Sequence, residues 1–339
     1  MTDNATSVLQ HVSLVIPVYC GEKTLPILME EIIPLTHEFT TLNDIRYIVD
    51  EVILVHDCGP DRSDLILEKL ANQYSFVRTI WLSRNYGQHA ATIAGMANAT
   101  GDWVVTLDED GQQHPADIAA MLDYAINNSL QLVYAKPMNP APHGWLRNIA
   151  SRTAKIIAAK LLANNQMDKF NSFRLIDGDI ARSMASYCNN NVYLDVGLFW
   201  IVGRMGHCPV HLREEFDRAS GYSYLKLFSH FWRLVITTGT GPLRLITLMG
   251  FCSVILAVAL STYALYENFL HNVPVQGWTS LLVVVSFFSG ITLTSMGIIA
   301  EYLSVTMSIA MGKPLYATSS KPTRPAAHSS ALRVKHDEK

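Results

Sequence analysis

Between Val12 and Ala135, short and nearly continuous apolar runs alternate with longer segments whose apolar residues recur at helical spacing. The runs predict buried strands and the longer segments predict helices. The predicted strands are Ser13–Pro17, Val52–His56, Thr79–Leu82, Trp103–Leu107 and Leu132–Tyr134. The predicted helices are Leu25–Thr36, Ser63–Gln73, Gln88–Ala99 and Ala116–Asn127. This alternation predicts an α/β domain with a parallel sheet that is covered on both faces.

The pattern changes after this domain. Lys136–Gly144 contains three prolines and a glycine, which is typical of a mobile loop. Trp145–Asn164 has the pattern of an amphipathic helix with four basic residues. Tyr222–Thr238 mixes aromatic, apolar and basic residues, which predicts a helix lying in a membrane interface.

Two apolar stretches follow, and neither Leu245–Tyr266 nor Trp278–Ala300 contains a charged residue. Each exceeds the roughly 20 residues needed to cross about 30 Å of hydrocarbon, and buried core helices of this kind are rare. We therefore expect two transmembrane helices, at about 243–266 and 278–303. The link Glu267–Gly277 contains no Lys or Arg while both flanks are basic, so the positive-inside rule places the domain and the tail in the cytosol.

Composition agrees with a membrane-attached protein that faces the cytosol. Of 339 residues, 49% are hydrophobic and 16% are charged, where about 25% charged is typical. The net charge of −3 gives no case for nucleic-acid binding. The five cysteines are scattered without a CxxC pair, which favours a reduced compartment. Met1–Gln10 has none of the features of a signal peptide, so none is expected, and the residues after Ala317 are expected to be disordered.

Asp108 and Asp110 follow the predicted strand Trp103–Leu107. Side chains at positions i and i+2 of an extended segment share a face, so the two carboxylates can hold one Mg²⁺ or Mn²⁺ together with substrate phosphates. The alternative is a solvated acidic turn. The chain has no GxGxxG or Walker-type glycine loop, which disfavours a dinucleotide site or a P-loop and makes a metal the expected neutraliser of a diphosphate.

Other polar residues lie at predicted strand ends. Asp57 follows Val52–His56, where it either bonds a base or ribose edge or caps the helix that begins near Ser63. The segment Ser83–His89 either faces an anion with its backbone amides and Arg84 or forms a turn with a helix cap. Four arginines are candidate phosphate ligands, although each alone is more typical of a solvated or interfacial charge: Arg147, Arg152, Arg213 and Arg218.

Four motifs occur in order along the chain. They are Val15-Ile16-Pro17-Val18-Tyr19, Asp57-Cys58-Gly59-Pro60-Asp61, Ser83-Arg84-Asn85-Tyr86-Gly87-Gln88 and Asp108-Glu109-Asp110-Gly111-Gln112. Jointly they resemble the family 2 glycosyltransferases of the GT-A fold. More narrowly, the chain is similar to the polyprenyl-phosphate glycosyltransferases, which include dolichol-phosphate mannose synthases and bacterial undecaprenyl-phosphate glycosyltransferases. The narrower likeness also uses Ser172–Asp177, Arg213–Ser223 and Gly312–Tyr316.

The resemblance implies an inverting transfer of a sugar from a nucleotide diphosphate to a polyprenyl phosphate, undecaprenyl or dolichyl, for cell-envelope glycan or lipid modification. Two alternatives stay open at this point: a family 2 synthase with a different acceptor, and a non-catalytic membrane subunit that binds nucleotide sugars. The implied partners are the nucleotide-sugar donor, the lipid acceptor and the bilayer, with a homo-oligomer left open and no nucleic acid. The implied location is the bacterial inner membrane, crossed more than once.

The resemblance also assigns roles to residues. The metal, Mg²⁺ or Mn²⁺, would lie on Asp108 and Asp110, and the catalytic group would further include Asp195 and Arg147. The residues expected to bind the nucleotide sugar are Pro17, Tyr19, Glu22, Asp57, Arg84, Asp108, Gln112 and Lys136. The residues expected to hold the acceptor phosphate are Arg147, Arg213, Arg218 and Ser223. The chain departs from many relatives at His56, Gly59 and Gly111, and at Asn171-Ser172, where many have Gly-Asp.

The implied organisation has four parts. Residues 1–220 form a cytosolic GT-A glycosyltransferase domain with a Rossmann-like nucleotide-sugar fold. Residues 221–242 form interfacial amphipathic helices, 243–311 hold the two transmembrane helices, and 312–339 form a basic cytosolic tail that is largely disordered.

Overall fold

A computed structural model describes residues 8–138, 170–188, 193–213 and 277–320, together with scattered positions between 246 and 266. The chain divides into two compact units. The first contains the described residues up to Met138, from Phe170 to Arg213 and from Pro314 onward. The second contains the described residues from 246 to Lys313.

The first unit is built on a mixed sheet of nine strands in the described part of the chain. The strands are β1 (Gln10–Val18), β2 (Phe39–Thr40), β3 (Arg46–His56), β4 (Val77–Leu82), β5 (Trp103–Thr106), β6 (Leu132–Pro137), β7 (Arg174–Asp177), β8 (Met205–Val210) and β9 (Thr318–Ser319). Their order is β8-β6-β7-β5-β1-β3-β4-β9, with β2 paired to β3. The five strands predicted from the sequence are all present, and most are longer than predicted.

The centre of the sheet is parallel, as predicted. β1 pairs in parallel with both β3 and β5, and β3 pairs in parallel with β4. Val18 lies opposite His56, and Val15 lies opposite Thr106. The carboxyl ends of these strands therefore meet at one edge of the sheet, which is where ligands bind in folds of this kind.

The prediction of a parallel sheet is confirmed for β1, β3, β4 and β5 but is wrong for β7. β7 runs antiparallel between β5 and β6, so β6 does not pair with its predecessor in the chain. β7 has only four residues, with Arg174 and Asp177 at its ends, and such a segment carries no periodic strand signal. β6 extends through Pro137, so Lys136 belongs to a strand and not to the predicted loop.

Helices cover both faces of the sheet, as predicted. They are α1 (Leu25–Ile32), continued by a 3₁₀ turn (Ile33–Thr36), α2 (Ser63–Gln73), α3 (Gln88–Ala97), α4 (Asp117–Asn127), α5 (Gly178–Tyr187) and α6 (Leu194–Ile201). Alternate residues of β1 enter two different cores: Leu14 and Ile16 pack with α1, α2 and α4, whereas Val15 packs with α3, α5 and α6. α5 and α6 were not predicted.

The segment after Lys313 rejoins the first unit. Thr318 and Ser319 form β9, which pairs antiparallel with Leu82 and Trp81 of β4. The amide of Ser83 donates to the Ala317 carbonyl at 2.8 Å. The prediction of disorder after Ala317 is therefore wrong for these residues, because the edge strand β4 offers unpaired backbone groups that a polar sequence can satisfy.

The second unit contains the long helix α7 (Trp278–Ala310), of 33 residues. Its Phe287–Ala310 portion is long and apolar enough to cross a membrane, and none of its residues is buried in the structure. It corresponds to the second predicted span. The first predicted span is described only at scattered helical positions, so two spans stay a prediction. The predicted elements Trp145–Asn164 and Tyr222–Thr238 lie outside the described residues. The link Glu267–Gly277, which contains no Lys or Arg, also lies outside them apart from its last residue.

Candidate functional site

The predicted motifs converge at the carboxyl edge of β1, β3 and β5. The amide of Asp57 donates to the Val18 carbonyl at 2.8 Å, and the amide of Leu107 donates to the Val15 carbonyl at 3.0 Å. These bonds continue the ladder one residue beyond β3 and β5. The residues that follow each strand therefore start from neighbouring positions on one edge.

Asp108 lies at the centre of a polar cluster. Its Oδ1 accepts a hydrogen bond from the side-chain amide of Gln88 at 2.6 Å. Its Oδ2 accepts one hydrogen bond from the side-chain amide of Gln113 at 3.0 Å and another from the Ser172 hydroxyl. Gln113 also accepts from the Asp108 backbone amide at 3.0 Å. α3, the turn before α4 and the turn before β7 therefore position one carboxylate.

The charges at this cluster fit a divalent cation. Burial and the nearby charge of Asp110 raise the pKa of Asp108 to about 6, although the hydrogen bond from Ser172 opposes the shift. The described partners of Asp108 are neutral donors, so a cation would relieve the repulsion between the two carboxylates. No group of three or more His, Cys, Asp or Glu side chains gathers for a metal within the described residues. Two carboxylates are a common set for Mg²⁺, which keeps waters and substrate phosphates as its other ligands.

Glu109, between the two aspartates, was not predicted as a site residue. Its carboxylate accepts from the amides of Tyr19 at 3.0 Å and Cys20 at 2.9 Å. Glu109 therefore holds the turn after β1. β5 ends at Thr106, and Glu109 and Asp110 lie in a turn, so the prediction that Asp108 and Asp110 share one face of an extended segment is wrong. The charge of Asp110 nevertheless acts on Asp108 across this turn.

Asp57 does not cap α2. Its two oxygens accept from the amides of Tyr86 at 2.7 Å and Gly87 at 2.8 Å, at the start of α3. The N-cap position of α2 is Arg62, and Asp61 before it accepts from the amide and the hydroxyl of Ser63 at the start of the helix. Asp57 is only 3% exposed, and burial raises its pKa to about 6 despite the two amide donors. The amides of Tyr86 and Gly87 thus face an anion that the protein itself supplies.

Three other predicted nucleotide-binding residues line the same edge. Tyr19 is exposed directly after β1. Glu22 is exposed and accepts from the Arg62 amide at 3.2 Å. Arg84 is exposed, with its guanidinium 4.6 Å from the centre of the Tyr86 ring. Pro17 is buried within β1 opposite Val55, so it shapes the edge from below.

Arg213 forms an ion pair that the sequence did not reveal. Its Nη1 and Nη2 donate to the two oxygens of Glu31 on α1, at 2.6 and 2.7 Å. Its Nε is buried and has no hydrogen-bond partner among the described residues. The Arg213 amide donates to the Gln112 carbonyl at 2.9 Å, which places Arg213 beside the turn that carries Asp110.

Asp195 lies inside the protein. It accepts from Nε of Arg174 at 2.6 Å, from Nη2 at 2.9 Å and from the Tyr134 hydroxyl at 3.0 Å. Burial by itself would lower the pKa of Arg174. The charge and hydrogen bonds of Asp195 raise this pKa by more, so the net pKa of Arg174 is raised. The sequence did not predict this pairing, although an arginine between apolar residues in Phe173-Arg174-Leu175 is an unusual feature that could have indicated it.

The remaining predicted site residues are not joined to this cluster in the described part of the chain. Lys136 is exposed near the end of β6, opposite Pro209 of β8. Arg147, Arg218 and Ser223 lie outside the described residues.

The pattern characteristic of glycosyl transferase family 2 matches residues 13–186, just over half of the chain. The chain belongs to glycosyltransferase family 2. This confirms the resemblance drawn from the motifs, and the mixed sheet with helices on both faces agrees with the GT-A type of α/β fold. The protein is therefore a glycosyltransferase.

Named relatives are similar well beyond the matched region. The undecaprenyl-phosphate 4-deoxy-4-formamido-L-arabinose transferase of Pectobacterium atrosepticum is 29% identical over 314 residues, which cover 91% of this chain and 92% of that protein. The prophage bactoprenol glucosyl transferase homolog of Escherichia coli is 24% identical over 305 residues, covering 90% and 97%. Among solved structures, glucosyl-3-phosphoglycerate synthase from Mycobacterium tuberculosis, in complex with Mn²⁺, UDP and phosphoglyceric acid, is 16% identical. It covers 67% of this chain and 77% of that one, with a TM-score of 0.48.

Proposed function

We propose that this glycosyltransferase moves a sugar from a nucleotide diphosphate to the phosphate of a polyprenyl lipid at a membrane. The observation that carries the acceptor is the extent of the likeness to an undecaprenyl-phosphate transferase, which spans 91% of the chain. That span exceeds the family 2 region and includes the C-terminal part with α7. The apolar portion Phe287–Ala310 supports attachment to the membrane in which such a lipid resides.

The finer arrangement is also part of the proposal. We place the first unit on the cytosolic side of a bacterial inner membrane, because the link Glu267–Gly277 lacks Lys and Arg whereas the flanks are basic. Residues 1–220 would act as the glycosyltransferase domain, 221–242 as the interfacial segment, 243–311 as two spans and 312–339 as the tail. β9, at the start of that tail, supports a return of the chain to the catalytic unit.

Asp108 and Asp110 would hold Mg²⁺ or Mn²⁺, which supplies positive charge for the donor diphosphate and for the charge that develops on the leaving nucleotide. The exposed residues Tyr19, Glu22 and Arg84 would contact the donor at the same edge of the sheet. Asp57 would act through the loop that it fixes, since both of its oxygens already accept backbone amides.

The acceptor needs little help from a base. The second pKa of a phosphate monoester is near 6, so its oxygen is mostly deprotonated at pH 7. That oxygen would form the new bond to the anomeric carbon while the bond from this carbon to the donor diphosphate breaks. The burial of Asp195 against Arg174 supports the same view, because its oxygens are occupied by neighbours inside the protein.

The direct test is a product assay. Purified full-length protein in detergent is incubated with undecaprenyl phosphate and a panel of labelled nucleotide sugars, and label in the lipid fraction is measured. We expect one donor to give a lipid-linked product that depends on the lipid phosphate. Release of free sugar without a lipid-linked product from every donor in the panel would contradict the proposal.

Arg213 is proposed as a ligand of the acceptor phosphate, with Glu31 occupying it in the absence of lipid. A carboxylate held by two guanidinium nitrogens has the geometry that a phosphate takes on arginine. Arg213 also adjoins the turn of Asp110 through Gln112. Glu31 and the lipid phosphate would therefore compete for the same two nitrogens.

Two substitutions separate these roles. Arg213→Gln should raise the KM for the lipid phosphate about tenfold, since a charge-assisted pair contributes about 1.5–3 kcal/mol. Glu31→Gln should lower the same KM several-fold because it removes the competitor. The donor KM should stay near wild type in both variants. Glu38→Gln, which affects the exposed pair with Arg46, is the matched control. An equal rise in both KM values for Arg213→Gln would argue against an acceptor role.

A further inference from the structure

A continuous set of hydrogen bonds joins the buried Arg174–Asp195 pair to the carboxylate of Asp108. On β7, Arg174 lies directly opposite Thr106 of β5 and Tyr134 of β6. Side chains that oppose each other across paired strands lie on the same face of the sheet. These three side chains therefore form one row across three neighbouring strands, beneath the edge that carries Asp108.

Ser172 connects this row to the site. Its carbonyl accepts from Nη1 of Arg174 at 3.0 Å and from the Thr106 hydroxyl at 2.5 Å. Its own hydroxyl donates to Oδ2 of Asp108. The side-chain amide of Gln113 donates to the Ser172 hydroxyl oxygen at 2.9 Å and to Asp108 Oδ2 at 3.0 Å. Ser172 is thus held by its backbone on one side and holds Asp108 with its side chain on the other.

The ion pair itself is enclosed. The side chains of Arg174 and Asp195 are 5% and 3% exposed. Both oxygens of Asp195 bond Arg174, and Oδ1 also accepts from Tyr134. A buried ion pair costs desolvation free energy that hydrophobic residues of the same volume would avoid. Core packing alone therefore does not account for the pair, and its hydrogen bonds lead to Ser172.

We propose that Ser172 is a positioning residue for Asp108, and that the Arg174–Asp195 pair acts through Ser172 by fixing its carbonyl. The inference rests on the proposed metal role of Asp108. Carboxylates that bind metals are themselves oriented by hydrogen bonds, and loss of such a partner typically weakens metal binding 10–100-fold. Ser172 and Gln113 would set the direction in which Asp108 presents its oxygens, and Asp195 would not contact either substrate.

The test measures Mn²⁺ binding to the purified full-length protein in detergent, by electron paramagnetic resonance of free Mn²⁺, without donor or lipid. Ser172→Ala should weaken binding at least tenfold while the thermal unfolding temperature stays near wild type. Ser172→Thr keeps the hydroxyl and should bind Mn²⁺ nearly as well as the wild type. Ser186→Ala is the matched control, because the hydroxyl of this exposed serine donates to the Ser183 carbonyl within α5.

The outer part of the network has its own variant. Arg174→Met combined with Asp195→Leu removes both charges and retains apolar volume, so no uncompensated buried charge is left. The Tyr134 hydroxyl loses its acceptor, and the unfolding temperature of the variant is therefore measured alongside. We expect it to weaken Mn²⁺ binding, by a smaller factor than Ser172→Ala, because the Ser172 carbonyl loses its guanidinium donor but keeps the Thr106 hydroxyl. A purely structural pair would leave Mn²⁺ affinity unchanged in the folded protein.

The outcomes are distinguishable. Wild-type affinity in Ser172→Ala would overturn the positioning role while leaving the metal site intact. Wild-type affinity in the double variant would overturn the contribution of Arg174 and Asp195. Failure of the wild-type protein to bind Mn²⁺ would overturn the metal site and, with it, this inference. Lipid-linked sugar synthesis in the product assay is measured separately, so the transfer activity is judged independently.

Discussion

Replacing Asp108 or Asp110 by asparagine is expected to lower sugar transfer about a thousandfold, with the protein still folded and bound to detergent micelles. Each substitution removes one negative charge from a pair that would hold the divalent cation, and charge stabilisation of this kind contributes several kcal/mol to a transition state. The measurement is the initial rate of lipid-linked product formation at saturating donor and acceptor. Unfolding temperatures identify any variant that has lost its fold.

Removing the metal tests the same prediction independently. EDTA should abolish transfer by the wild-type protein, and added Mn²⁺ or Mg²⁺ should restore it. Asp44→Asn is the matched control, because Asp44 is exposed in a turn at positive φ that asparagine also adopts readily. Full activity of both site variants in EDTA would rule out the metal assignment.

Breaking the Arg174–Asp195 pair on one side is expected to destabilise the protein by about 3–5 kcal/mol, since the remaining partner becomes an uncompensated buried charge. Asp195→Asn and Arg174→Met alone should each lower the unfolding temperature by roughly 10 °C. The double variant Arg174→Met with Asp195→Leu should unfold at a higher temperature than either single variant, because it leaves no uncompensated buried charge, although the Tyr134 hydroxyl loses its acceptor. This difference between single and double variants is measured by thermal unfolding in detergent.

An exposed ion pair on α5 is the control for these single and double variants. Asp179 pairs with Arg182 at 2.7 Å, and the Asp179 side chain is 92% exposed. Asp179→Asn should change stability by less than about 1 kcal/mol, because water screens the pair. If the single variants of the buried pair were as stable as Asp179→Asn, the pair would not be desolvated in solution.

Local pattern determined much of this protein. The alternation of apolar runs and helical periods depends only on neighbouring residues, so β1, β3, β4 and β5 were predictable, as were the helices that cover them. The metal role proposed for Asp108 and Asp110 follows from the same local information, since parallel strands bring their carboxyl ends to one edge. The family could also be recognised from the motifs at these strand ends.

Contacts between distant residues were decided only by the tertiary structure. β7 enters the sheet between β5 and β6, and β9 pairs with β4 across more than two hundred residues of chain. Glu31 and Arg213 are 182 positions apart, and Ser172 reaches Asp108 from 64 positions away. Four-residue and two-residue strands have no measurable period, and a charged side chain does not reveal its partner. The sequence therefore determined which groups reach the edge of the sheet, whereas long-range pairing decided how they are held there.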